Sequence, residues 1–152
     1  MKIGLGCDHG GYNLKLEIKQ YLESKGVECV DYGTNNAEES VDYPIYGQKV
    51  AEAVVAKDVD YGILCCGTGI GISLAANKVP GIRCAVVSDT FSAKMSKAHN
   101  NANMLSLGTG SFRGSPPPRW RGCGSGPSAP RTPWPADSSS GRCWADTPGS
   151  FP

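Results

Sequence analysis

The sequence predicts an α/β fold, a five-stranded parallel sheet with helices on both faces. Two observations predict it. Strand-like and helix-like segments alternate from Lys2 to about residue 110. Units of this kind join parallel strands through right-handed crossovers. In addition, polar or glycine-rich turns follow the first, third and fourth apolar runs. Doubly wound sheets bind ligands at the carboxyl ends of their strands, where such turns lie. The expected architecture is a doubly wound, Rossmann-like three-layer sandwich followed by an irregular tail.

Lys2–Cys7 reads as the first strand, and Asp8-His9-Gly10-Gly11 as a turn. Tyr12–Ser24 carries Leu14, Ile18, Tyr21 and Leu22 three and four residues apart, the apolar stripe of an amphipathic helix. Gly26 is its expected stop. Val27–Tyr32 is a second strand and 33–43 a polar loop with acidic residues at its centre. Pro44 suits the first turn of a helix running to about Lys57, with Val50, Ala53 and Val54 facing inward and Tyr46 at the edge.

Tyr61–Cys66 is the third strand and Gly69–Lys78 the third helix. Ile82–Val87 is the fourth strand, Phe91–Asn100 a helix capped by Asp89 or Thr90, and Asn103–Leu107 the fifth strand.

After Gly110 the composition changes. Residues 111–152 contain no Leu, Ile, Val, Met, Lys or Glu, but all three tryptophans, Trp120, Trp134 and Trp144. Their basic residues are all arginine: Arg113, Arg119, Arg121, Arg131 and Arg142. No helical or strand period runs through them, and disorder or loose collapse is expected. A shifted frame of GC-rich DNA would encode such a mixture. The segment is therefore read as an aberrant end rather than a functional tail. Two regions follow, a domain at 1–110 and a Pro/Gly/Ser/Arg-rich tail at 111–152.

The 152 residues carry a formal net charge of +1. No run of like charge suggests nucleic acid or an acidic membrane as partner. No stretch has the length of a membrane span, and the first residues do not read as a secretory signal. The cytosol is the expected compartment. The seven cysteines are Cys7, Cys29, Cys65, Cys66, Cys84, Cys123 and Cys143. Their odd number and irregular spacing argue against a disulfide framework. No CxxC pair or His/Cys cluster suggests zinc. Cys7, Cys29, Cys65 and Cys84 fall in or beside apolar runs, as small core residues do.

The segment that carries chemistry is Cys65-Cys66-Gly67-Thr68-Gly69-Ile70-Gly71, directly after Tyr61-Gly62-Ile63-Leu64. It puts a thiol at a strand's end and a glycine turn opening onto a helix. Such a turn aims several N–H groups at one point, with the helix dipole adding positive potential. A base beside an anion cradle suits proton abstraction next to a carbonyl. A plain strand–turn–helix corner would explain the glycines equally well. Asp8-His9 and Ser88-Asp89 follow other strands on the same expected edge, which favours a site there.

Four segments together resemble type B ribose-5-phosphate isomerases, in the superfamily shared with galactose-6-phosphate isomerase subunits. They are Gly6-Cys7-Asp8-His9-Gly10-Gly11, Ser40-Val41-Asp42-Tyr43-Pro44, Cys66–Gly71 with Ala75-Ala76-Asn77-Lys78, and His99-Asn100-Asn101-Ala102-Asn103. The resemblance covers residues 1 to about 110. It implies an aldose–ketose isomerase interconverting ribose 5-phosphate and ribulose 5-phosphate, without metal or organic cofactor. It also implies a homodimer with active sites at the subunit interface.

By that resemblance Cys66 is the base moving a proton between C1 and C2. A thiolate is required there, and the neighbouring helix N-terminus favours one. Cys65, pointing the other way along the strand, is the inert thiol. Thr68 and the amides of Gly67, Gly69 and Gly71 would hold the enediolate oxygens, and Thr68 would also suit a helix cap. His99 would open the furanose ring by proton transfer at the ring oxygen. Without the resemblance it reads as a cation at a helix C-terminus. His9 would meet the phosphate and Asp8 a sugar hydroxyl, with Tyr43 and Asn100 lining the pocket. Asp8 could instead cap the first helix, and Asp42 is left outside the site as a cap for the helix at Pro44.

The resemblance ends where the family places an arginine shortly after Leu107-Gly108. Gly110 stands there. The family's later helices and phosphate-binding arginines have no recognisable counterpart, and Arg113 is out of register. The expected activity is therefore reduced. Two alternatives remain open: an isomerase of a six-carbon phosphosugar such as galactose 6-phosphate or allose 6-phosphate, and a non-catalytic nucleotide- or phosphosugar-binding domain. For the latter the glycine turn follows the third strand rather than the first.

Overall fold

The computed structural model describes residues 1–112, with side chains through residue 110. The expected tail lies outside the described residues apart from its first two.

The strands are β1 (Lys2–Cys7), β2 (Glu28–Asp31), β3 (Tyr61–Cys66), β4 (Cys84–Val86) and β5 (Met104–Gly108). The helices are α1 (Tyr12–Ser24), α2 (Tyr43–Ala56), α3 (Ile70–Ala76), α4 (Thr90–Asn100) and the single turn α5 (Thr109–Phe112). All strand pairs are parallel, in the order β2-β1-β3-β5-β4. The sheet is therefore doubly wound, as the alternating pattern predicts. Turn α5 is a correction, since residues 111–112 were expected to be irregular.

One face of the sheet packs on α2 and α3. Val50, Ala53, Val54, Leu64, Ile72 and Met104 form its core, and the Cys66 side chain joins it. The inward stripe of α2 is thus Val50, Ala53 and Val54 as read, with Tyr46 packed at its margin.

Helix α1 differs from its expected stripe. Tyr21 lies exposed, whereas Lys15 is only 1% exposed. Burying a lysine is costly unless its ammonium is paired. Here Nζ bonds both oxygens of Asp31, at 3.0 and 2.9 Å, and donates to the Thr34 carbonyl at 2.7 Å. The helix ends as its glycine predicts. Gly26 takes φ +75°, and its N–H and that of Val27 bond back to Glu23 and Leu22.

The sheet face under α4 is less completely covered. Ile3, Tyr61, Ile63, Ala93, Lys97 and Leu105 line a cavity of 310 Å³ between that helix and the sheet.

Candidate active site

The site is assembled where β1, β3 and β5 end side by side. Cys7 pairs with Cys65, and Cys66 with Gly108. Side chains alternate along a strand, so the adjacent thiols part. Cys65 turns away from the α2–α3 face and is buried. Burial raises its pKa well above the ordinary thiol value of 9.0. Cys7, also buried, is pushed up to about 11, and Cys84 to about 12, both chiefly by desolvation.

Cys66 is held differently. Its Sγ accepts the Gly69 N–H at 3.0 Å. Gly69 occupies the N-cap of α3 with φ +78°, a conformation that glycine adopts without penalty. A Cβ there would also press on the Leu107–Gly108 backbone at 3.0–3.1 Å. Thr68 Oγ1 accepts the Ile70 N–H at 3.2 Å, so the threonine fastens the first turn of α3 while remaining exposed. The N–H groups of Gly67 and Thr68 meet no acceptor among the described residues. The Gly67 carbonyl accepts the Gly110 N–H at 3.1 Å, which braces the loop from α5.

The end of β1 closes against this loop. Asp8 is buried, and its Oδ1 accepts the Gly11 N–H at 2.8 Å. It therefore caps the short 3-10 turn His9–Gly11 ahead of α1, not α1 itself. A Cβ on Gly10 would stand 3.4 Å from Asp8 Oδ1 and 3.5 Å from the Gly67 nitrogen. Carboxylate and loop amide thus border one space. His9 Nδ1 accepts the Val41 N–H at 3.2 Å. Neutral His9 consequently carries its proton on Nε2, leaving that nitrogen as a donor. The 33–42 loop is thereby tied down just before Tyr43. The Tyr43 ring lies over Gly71, whose Cβ position would be 2.9 Å from ring carbons.

The structure therefore brings together Asp8, His9, Tyr43, Cys66, Gly67, Thr68, Gly69 and Gly71. It does not bring His99 or Asn100 to them. Both are exposed in the last turn of α4, which starts after β4 and returns toward the opposite edge of the sheet. At that end Lys97 Nζ stacks 4.8 Å from the ring centre of Tyr61, the first residue of β3.

Several motif residues prove to be structural. Asn77 bonds both the N–H and the C=O of Cys84, at 2.8 and 2.9 Å. Asn103 accepts from Arg83 N–H and donates to the Gly81 carbonyl. Asn101 ends α4 in the left-handed region. Asp89 caps α4 through Ser92 N–H at 2.7 Å, and those bonds lower its pKa. Asp42 occupies the N-cap of α2 but makes no side-chain bond to it.

A family of known proteins described as ribose/galactose isomerase matches residues 3–114. The chain belongs to the ribose/galactose isomerase family. Ribose-5-phosphate isomerase B of Escherichia coli is 52% identical over 108 residues, which cover 71% of this chain and 72% of that protein. The galactose-6-phosphate isomerase subunit LacB of Clostridium acetobutylicum is 44% identical over 108 residues, covering 71% and 62%. Among solved structures, that of Clostridium thermocellum ribose-5-phosphate isomerase B superposes with a TM-score of 0.72 at 58% identity, covering 73% of this chain and 74% of the other. The enzyme class is sugar-phosphate isomerase, and the sheet and helices described above are those of that family. Among the described residues, no helix is long and apolar enough to cross a membrane.

One contributor escaped the sequence reading. Ser106 is fully buried and donates to the Gly69 carbonyl at 2.5 Å. Its signal was a lone hydroxyl at a core-facing position of β5, two residues from both Met104 and Gly108.

Proposed function

We propose that the chain interconverts ribose 5-phosphate and ribulose 5-phosphate, with residues 1–110 as the catalytic unit, working in the cytosol. The observation that carries this reading is the Gly69 N–H on Cys66 Sγ, beside the amides of Gly67 and Thr68, which have no acceptor among the described residues. A backbone donor favours the charged sulfur, and a thiolate is the form able to take a proton from carbon.

In the open-chain aldose, Cys66 removes the proton from C2 as the C1 carbonyl oxygen gains negative charge. The amides of Gly67 and Thr68 and the Thr68 hydroxyl hold the enediolate oxygens. Return of the proton from sulfur to C1, with the hydroxyl proton passing from O2 to O1, yields the ketose. The Nε2–H of His9 meets the phosphate and Asp8 a hydroxyl, with Tyr43 as a wall. The Gly69 amide serves the sulfur rather than an oxygen.

Ring opening falls to His99, with Asn100 beside it. Because these two lie at the far edge of their own sheet, a second copy of the chain supplies them, and the working form is a homodimer. Exposed Tyr43, Ile45, Ile70 and Leu74, next to the site, offer apolar surface for that copy. Glycine at position 110, where the resemblance leads one to expect an arginine, predicts weak phosphate binding, since charge-assisted hydrogen bonds contribute roughly 1.5–3 kcal/mol each.

The likeness to LacB supports a second reading, action on a six-carbon phosphosugar. Turnover on ribose 5-phosphate, galactose 6-phosphate and allose 6-phosphate separates the two. Preference for the pentose is expected, and preference for a hexose would replace the first reading by the second. Mixing Cys66→Ala with His99→Ala protein tests the shared site. Activity regained in the mixture supports it, and two inactive variants that form mixed dimers without activity refute it.

A further inference from the structure

We propose that Ser106 is a positioning residue for Cys66: by pinning the Gly69 carbonyl it keeps the Gly69 N–H on the sulfur. The inference rests on the reading of Cys66 as the base.

Gly69 is held at both ends. Its N–H donates to Cys66 Sγ at 3.0 Å, and its C=O accepts from Ser106 Oγ at 2.5 Å. The two holding residues stand on neighbouring strands whose register pairs Leu64 with Ser106 and Cys66 with Gly108. The glycine at φ +78° therefore bridges β3 and β5. The N–H and the C=O belong to the peptide planes on either side of its Cα, so the two bonds together restrict rotation about the glycine and hold the donor on the thiol.

The identity of residue 106 is informative in itself. The position is 0% exposed and faces the apolar core beside Leu64 and Met104. Alanine would fit such a place without the desolvation that a hydroxyl suffers. The hydroxyl finds its acceptor in the carbonyl of the loop that carries the proposed chemistry. Its own backbone carbonyl is used elsewhere, by Val87 N–H at 3.0 Å. The side chain thus contributes to the loop rather than to the ladder.

The full chain is compared with its Ser106→Ala and Ser106→Thr variants by three measurements. The first is alkylation of Cys66 by iodoacetamide as a function of pH, resolved from Cys65 by fragment masses. The others are kcat and KM on ribose 5-phosphate, and thermal melting.

In folded Ser106→Ala, alkylation of Cys66 at pH 7 should slow about tenfold, because the thiolate loses the aligned N–H that favours it. Its profile should move to higher pH. The kcat should fall by a similar factor with KM unchanged, and Ser106→Thr, which keeps the hydroxyl, should recover both. An unchanged Cys66 profile in folded Ser106→Ala overturns the proposal. If Ser106→Ala does not fold, Ser106→Cys, similar in size but a weak donor, is read by the same criteria. Retained turnover in Cys66→Ala would refute the base itself. The alkylation profile would still decide whether Ser106 positions the thiol.

Discussion

The two edges of the sheet are equally rich in polar motif residues but use them differently. At the amino-terminal edge of β4 and β5, Asn103 and Arg83 spend their hydrogen bonds on nearby backbone, and Asn77 does the same along β4. At the carboxyl edge of β1 and β3, backbone groups are left over. Among the described residues, the Gly67 and Thr68 amides lack acceptors and the Nε2 donor of His9 has no partner. Within one copy of the chain, the carboxyl edge thus differs from the other in its unspent hydrogen-bonding capacity beside a thiol. That capacity, rather than the density of polar residues, is what the proposed proton transfer uses.

The sharpest way to break that contrast is Cys66→Ala. It should lower kcat about a thousandfold, within the range of a lost general base, with a loss of stability of only about 1–2 kcal/mol from the Gly69 N–H left without its acceptor. Gly11→Ala is expected to act on folding instead. Its Cβ would lie 2.1 Å from the Cys65 carbonyl oxygen, so backbone must move. A loss of about 3 kcal/mol in chemical denaturation is expected, at the upper end for overpacking. Asn77→Ala belongs to the structural group. Stripping both partners from Cys84 should cost about 2 kcal/mol, with kcat within twofold or so of the parent per folded molecule.

The smallest effect is one of pH. Cys7 and Cys84 keep their protons in the fold up to about 11 and about 12, against an ordinary value of 9.0. Groups with raised folded pKa contribute full stability below the unfolded value, and the contribution disappears as pH rises through the folded one. Melting temperature should therefore hold below pH 9.0 and fall between there and about 11. Cys7→Ser should flatten the fall, and a slope unchanged in that variant would count against burial as its cause.

Much of this architecture was legible. Lys2–Cys7, Tyr12–Ser24 and Tyr61–Cys66 begin and end as their patterns predict, because local turns at Asp8, Gly26 and Gly67 agree with the packing. Disagreements arise where side chains replace the ladder. The fourth strand, expected from Ile82 to Val87, shortens to Cys84–Val86, with Arg83 N–H taken by Asn103. The third helix, expected to Lys78, ends at Ala76, and the Asn77 side chain turns to Cys84. The thiol, the glycine turn and Asp8-His9 could be placed together from topology. Lys15 could not, because periodicity assigns a lysine to the solvent face. Nor could Ser106, whose acceptor lies 37 residues away.

Lys15 offers a practical use that needs no knowledge of the substrate. Its amine is enclosed by Asp31, Thr34 and the Tyr12 ring, 5.0 Å from the ring centre. An acylating reagent reaches it only when α1 lifts from the sheet. Exposed Lys94 on α4 needs no such opening. The ratio of labelling at the two lysines in native buffer is therefore a built-in clock for opening of the domain, readable even in a protein that turns nothing over.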